Sequence, residues 1–247
     1  MDPGYYVAAG SLKARSFQMD IAANNLANAA TVGFKPDLAF FAIFNKAKDQ
    51  GRGLALSGPL NDGVMVGSTG MAMAQGVLRA TGRSLDVAVE GNAFLTVRTP
   101  QGDQVTRDGR LQLGTDGQLQ ALDGSPVLGK NGQPIRVDPA QGGLSISADG
   151  TVQQKDATVG QLDLKAYEKP GELKRVGALR FDPTGAAEAP AKATVAQGHL
   201  EQSSVDMGAA MVEMIRLNRL FELSQKVAST LSNDLDARSI NDVAIGR

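Results

Sequence analysis

Ala23-Asn24-Asn25-Leu26-Ala27-Asn28-Ala29-Ala30-Thr31-Val32-Gly33-Phe34-Lys35 closes an apolar periodicity and ends in residues that a helix cannot continue. Gly33 can take positive φ beyond the last helical residues, and Pro36 restricts Lys35, so the helix is predicted to stop between Asn28 and Thr31. Upstream, Asp2 and Pro3 read as N-cap and first helical residue. Between these limits Tyr5, Ala8, Leu12, Arg15, Met19, Ala22 and Leu26 alternate by three and four residues, a seam for another helix interrupted only by Arg15. Such a rod spans roughly 26 residues, or about 40 Å. Burying Tyr5, Leu12, Met19 and Leu26 contributes about 1.5–3 kcal/mol each. Ordering the backbone costs about 1–2 kcal/mol per residue, so the rod needs a partner.

The other end of the chain offers one. Met207, Met211, Met214, Leu217, Phe221, Ala228, Leu231 and Leu235 fall on one helical stripe, with Ser224 as a polar interruption. Val212, Ile215, Leu223 and Val227 form a second stripe around the same helix, and two apolar faces ask for more than one neighbour. Asp206 or Ser204 can cap its start, and roughly 30 residues give about 45 Å. Arg15 either pairs with Glu213 or Glu222 or extends along the seam to solvent.

From Leu85 the periodicity changes to alternation, in Leu85-Asp86-Val87-Ala88-Val89 and Ala93-Phe94-Leu95-Thr96-Val97. Gln101-Gly102, Asp108-Gly109, Asp116-Gly117, Asp123-Gly124, Asn131-Gly132 and Asp149-Gly150 punctuate the chain beyond Val97, and Asn-Gly and Asp-Gly pairs supply the positive φ angles of tight hairpins. Further strands are predicted over 145–146, 152–154, 161–167 and 178–181, with a loop over 185–193. The predicted fold is α+β: long N- and C-terminal helices, a coiled-coil-like pair, flanking an antiparallel, turn-rich all-β domain. The expected divisions are an axial helix with its motif (1–35), an extended connector (36–84), the β domain (85–195) and a C-terminal axial helix (196–247).

Composition narrows the function. The 247 residues are 42% hydrophobic, enough for a core, with 29 Gly and no Trp. Interspersed charges, 25 basic against 26 acidic, give no global attraction to nucleic acid. The absence of Cys excludes thiolate chemistry and Cys-ligated metal. The start lacks a basic n-region and a long apolar run, so a cleaved signal peptide is not expected, and no run of apolar residues is long enough for membrane insertion.

Nor does a catalyst emerge. The single His, His199, reads as a structural or surface residue, and no G-x-S-x-G elbow, phosphate loop, dinucleotide fingerprint or zinc spacing is present. Asp86 and Glu90 are expected at strand ends, and Lys169, Lys174 and Arg175, mixed with Glu168 and Glu172, read as a solvated loop. No catalytic residue, metal or cofactor is expected.

Ala23-Asn24-Asn25-Leu26-Ala27-Asn28 followed by Thr31, Gly33, Phe34 and Lys35 resembles the signature of bacterial flagellar rod and hook proteins. The resemblance continues through Leu85-Asp86-Val87-Ala88-Val89-Glu90-Gly91, Phe94, Thr106-Arg107-Asp108-Gly109, Gly117, Asp123-Gly124 and Val127-Leu128-Gly129. It resumes at Gln197-Gly198-His199-Leu200-Glu201-Gln202-Ser203-Ser204-Val205-Asp206 and Met211-Val212-Glu213-Met214-Ile215. Ala93 and Ser204 depart from it, standing where the family commonly has Gly and Asn. It implies a basal-body rod subunit, exported without a cleaved signal through the flagellar export apparatus. Its partners would be copies of itself and other flagellar rod proteins, in a helical tube around the export channel. The short length and the Met1-Asp2 opening look most like the proximal rod. The alternatives are a distal rod or hook-like subunit, or a secreted self-associating β-domain adhesion protein.

Overall fold

A computed structural model describes residues 3–43, 64–155 and 157–245. The chain forms two compact units, one of Met1–Leu26, Asp37–Thr69 and Met207–Arg247, the other of Ala27–Pro36 and Gly70–Asp206. The fold class is α+β, with a helix at each end of the chain flanking antiparallel sheets.

The first unit contains helix α1 (Pro3–Ala27) up to Leu26, strand β1 (Asp37–Ile43), its neighbour β2 (Val64–Met71), whose Gly70 and Met71 fall in the second unit, and helix α2 (Met207–Ile245). α1 stops at Ala27, just short of the expected window, and Asn28 to Thr31 turn through a hydrogen bond from Thr31 N to Asn28 O of 3.0 Å. α2 is 39 residues long, more than the roughly 30 expected, because neither Gly nor Pro interrupts the sequence between Gly208 and Gly246. Arg15 donates to Gln18 Oε1 at 3.0 Å, one turn along its own helix, and so is engaged within α1.

The second unit is built on a six-stranded antiparallel sheet. Its strands are β5 (Ala93–Thr99), β6 (Gly102–Thr106), β12 (Leu164–Tyr167), β13 (Lys174–Val176), β14 (Arg180–Asp182) and β15 (Glu188–Ala189), in the order β13-β14-β6-β5-β12-β15. Both faces are covered, and the period of two sorts side chains between them. Ala93, Leu95, Val97 and Ala166 enter a core with Val87, Leu119, Val127, Val152 and Leu162. Phe94, Val105, Tyr167 and Phe181 face a second core with Met71 and Leu173. Phe94 meets Phe181 edge-on, centroids 5.7 Å apart, and lies 6.2 Å from Tyr167.

Small sheets close the unit. β4 (Val87–Gly91) pairs with β16 (Ala193–Gln197), β3 (Leu78–Ala80) with β17 (His199–Glu201), and β7 (Leu111–Leu113) with β8 (Leu119–Ala121). β9 (Leu144–Ile146), β10 (Thr151–Gln154) and β11 (Ala157–Gln161) form the last. The single strand expected over 161–167 is two, β11 and β12. Leu162 bridges to Gly129 and Asp163 N bonds Leu128 O, so the chain changes partner there. The loop expected over 185–193 contains the short β15.

Most of the predicted turn glycines take positive φ, but Gly109 does not. It is required for another reason: a Cβ there would lie 1.6 Å from Val87 O, where the backbone of β4 passes close enough for Val87 N to bond Gly109 O at 2.9 Å.

Tyr167 carries a buried hydroxyl with no hydrogen-bond partner. Burial, reinforced by the negative charges of Glu188 and Asp163, pushes its pKa up to about 12 from 10.0. The folded state therefore keeps a proton that the unfolded chain releases, and stability should fall as pH rises from about 10 to 12. Ultraviolet titration should show a tyrosine ionising near 12, and Tyr167→Phe should abolish that phase and the alkaline loss. Near neutral pH the same variant should unfold within about 1 kcal/mol of wild type, since no hydrogen bond is lost.

Candidate functional site: a docked segment and two apolar helices

The end of the opening stretch is a buried part of the β unit. Gly33 N donates to Glu201 O at 2.8 Å, Ser204 N to Phe34 O at 3.3 Å, and Ala72 N to Pro36 O at 2.9 Å. The segment is thus stitched to both 201–204 and the strand end at Met71. Gly33 has φ of +71°, and a Cβ there would lie 2.7 Å from the backbone carbonyl carbon and oxygen of Arg107. Gly33→Ala therefore combines left-handed strain with a backbone clash, and should cost at least about 1–3 kcal/mol in denaturant unfolding.

Phe34 and Lys35 are each 1% exposed. The Arg175 guanidinium lies 4.9 Å from the Phe34 centroid and 5.2 Å from that of Phe181, stacked between the two rings, and also donates to Lys35 O. This corrects the expectation of a solvated loop: Lys169 is exposed, but Arg175 clamps the docked segment. The misreading arose because its neighbours Glu172 and Lys174 are polar and its aromatic partners lie far away in the chain.

Lys35 Nζ donates to Glu201 Oε1 at 2.6 Å and to Ala74 O at 2.7 Å. Arg107 Nη1 donates to Glu201 Oε2 at 3.3 Å and to Val89 O at 2.9 Å, and its guanidinium lies over the Phe94 ring. Gly76 N adds a bond to Glu201 Oε1 at 2.8 Å. One buried carboxylate thus serves two buried cations. Burial lowers the pKa of Lys35 and of Arg107, opposed in both cases by Glu201.

Elsewhere the motif serves the turn. In the first unit Asn25 Nδ2 donates to Asp37 O and Asp37 N to Asn25 Oδ1, both at 2.9 Å. This reciprocal pair ties the two chain positions that bracket the docked segment. Thr31 Oγ1 donates to Asn28 Oδ1 at 3.2 Å, while Ala23, Asn24 and Ala27 are exposed.

Of the helix-seam residues, Leu217 is buried, and Leu12, Met19, Leu26, Met214 and Phe221 are partly covered. Met207 and Met211 are about half exposed. The side chains of Tyr5, Leu231 and Leu235 lie outside the described residues. The second stripe is open to solvent, with Val212 67%, Ile215 54%, Leu223 58% and Val227 55% exposed.

Nothing resembling a catalytic arrangement accompanies these features among the described residues. His199 Nδ1 lies 2.9 Å from Gln197 O, and no cluster of three His, Asp or Glu could hold a metal. Glu90 lies within β4, and Asp86, just before it, is buried. A cleft of about 350 Å³ lined by Asp108, Arg110, Asp123 and Arg180 has its charges paired internally, Arg110 with Asp108 and Arg180 with Asp123. No described helix is long and apolar enough to cross a membrane.

Helices at both chain ends flank a unit of antiparallel β sheets. Residues 6–35 match the family described as flagella basal body rod protein. Residues 88–154 match the flagellar hook protein FlgE/F/G D1 domain, and 196–241 the C-terminal part of the flagellar basal body rod FlgEFG proteins. The chain belongs to this flagellar basal-body rod family and is a non-enzymatic structural subunit of the rod.

Its relatives include the flagellar basal-body rod protein FlgF of Mesorhizobium japonicum, 33% identical over 90% of both chains. FlgF of Escherichia coli is 34% identical over 95% of this chain and 96% of its own. FlgG of Buchnera aphidicola subsp. Acyrthosiphon pisum is 30% identical over 93% and 96%.

Proposed function

We propose that this subunit polymerises through its terminal helices and occupies the proximal rod. The exposed stripe Val212, Ile215, Leu223 and Val227 carries the reading, since four large aliphatic side chains in helical register are left in water by the chain's own fold. A neighbouring copy or another rod protein covers them, and the contact repeats along an open helix. The partners are copies of this chain, other rod proteins and the export apparatus that delivers them, and the tube surrounds the export channel. The assembly seam comprises Tyr5, Leu12, Met19 and Leu26 with Met207, Met211, Met214, Leu217, Phe221, Leu231 and Leu235.

The proximal position is supported by the FlgF relatives, whose identities of 31–34% lie slightly above the 30–31% of the FlgG relatives. Basal bodies purified from cells carrying an epitope-tagged chain test it. Label should sit at the membrane-proximal end of the rod and persist when distal subunits are deleted. Label at the hook end, or lost with the distal subunits, would assign the chain to the distal rod.

A further inference from the structure

We propose that Lys35, Glu201 and Arg107 form a latch that opens and closes as a unit without unfolding the six-stranded sheet, and that residues 198–204 must be in place before the N-terminal motif can dock. The proposal concerns the subunit's own conformational order and does not rest on where in the rod it sits.

The charge balance makes the latch depend on Glu201. The side chains of Lys35, Glu201 and Arg107 are 1%, 0% and 4% exposed, so two cations share one anion with almost no water. Without Glu201 the carbonyls of Ala74, Val89 and Gly91 would remain as acceptors but supply no negative charge. A buried, uncompensated cation is among the most unfavourable arrangements in a protein interior. The segment carrying Lys35 should then leave the site, because it is the one that can reach water. Arg107 cannot follow, since it directly continues β6 from Thr106.

The topology makes the opening separable. Neither residues 27–36 nor β17 belongs to the six-stranded sheet, so undocking breaks none of its ladder bonds. What is lost is the set of bonds at Gly33, Ala72 and Ser204, together with the Arg175 stack on Phe34 and its bond to Lys35 O. The two ends of the latch are 166 residues apart, so docking closes a loop around almost the whole β region, and β17 must already hold Glu201 in place to supply the anion for Lys35 and the acceptor for Gly33 N.

Amide hydrogen exchange on the full-length monomer tests this. Glu201→Gln should accelerate exchange at Gly33, Ala72 and Ser204 by about 100-fold while β5 and β6 stay within about threefold of wild type. Adding Lys35→Met to that variant removes one of the two unpaired cations and should recover about tenfold of the lost protection. Lys35→Met alone keeps the Glu201 and Arg107 pair; it should fold, loosen the same amides and leave β5 and β6 unchanged, and it decides the matter if Glu201→Gln does not fold. Equal acceleration of the latch and the sheet, or no acceleration at the latch, would overturn the proposal.

Discussion

Ile215→Asp is expected to leave the isolated chain almost as stable as wild type while removing its ability to enter the rod. Ile215 is 54% exposed on the second stripe of α2, so the monomer loses little packing and can solvate the new carboxylate. Surface changes of this kind usually stay within about 0.5 kcal/mol. On the proposed packing the same position faces a neighbour in the rod, and an unpaired carboxylate removed from water there costs several kcal/mol, on the order of 3–5 when uncompensated. A polymer repeats that penalty at every copy, so incorporation should drop by more than about 100-fold, with loss of motility. Gln101→Asp places the same charge at an exposed turn of the β unit, off both stripes of α2, and should assemble normally. Thermal unfolding of the purified monomers, followed by quantifying each variant in isolated basal bodies, makes the comparison. Normal incorporation of the Ile215 variant would refute α2's second stripe as an interface.

How much of this could be read from residues alone depends on the range of the interaction. Local signals placed the N-terminal helical segment: α1 begins at Pro3, the Asp2 cap lying outside the described residues, and Gly33 takes positive φ as expected, although α1 ends six residues before it. The alternation of β5 was legible for the same reason, though only the structure shows that Leu95 and Phe94 serve different cores. The docked segment was not legible. Phe34 and Lys35 read as residues following a helix, and nothing local distinguishes a Lys in solvent from one whose anion lies in β17. The charges beside Arg175 in sequence point to water, although Phe34 and Phe181 enclose it. The exposed stripe of α2 was visible as periodicity, whereas the uncovered state of that stripe within its own chain is a property of the fold.

Phe34→Ala should destabilise the β unit more than any of the substitutions above. The ring is 1% exposed and is the docked segment's one fully buried large apolar group, so truncation removes its burial and leaves a cavity worth about 3–5 kcal/mol. It also removes one of the two faces on which Arg175 stacks, about 0.5–2 kcal/mol more. Against a total stability of about 5–15 kcal/mol this is a large fraction, and the thermal midpoint should drop by roughly 10 °C or more. Phe34→Leu separates the two contributions, because it keeps most of the apolar volume but offers Arg175 no π face. It should cost about 1–2 kcal/mol, nearly all of it absent in an Arg175→Ala background, where there is no guanidinium to stack. If the cost of Phe34→Leu is unchanged by Arg175→Ala, the stack contributes nothing and Phe34 acts by volume alone. If Phe34→Ala unfolds at the wild-type midpoint, the segment is not docked in solution, and the latch fails along with it.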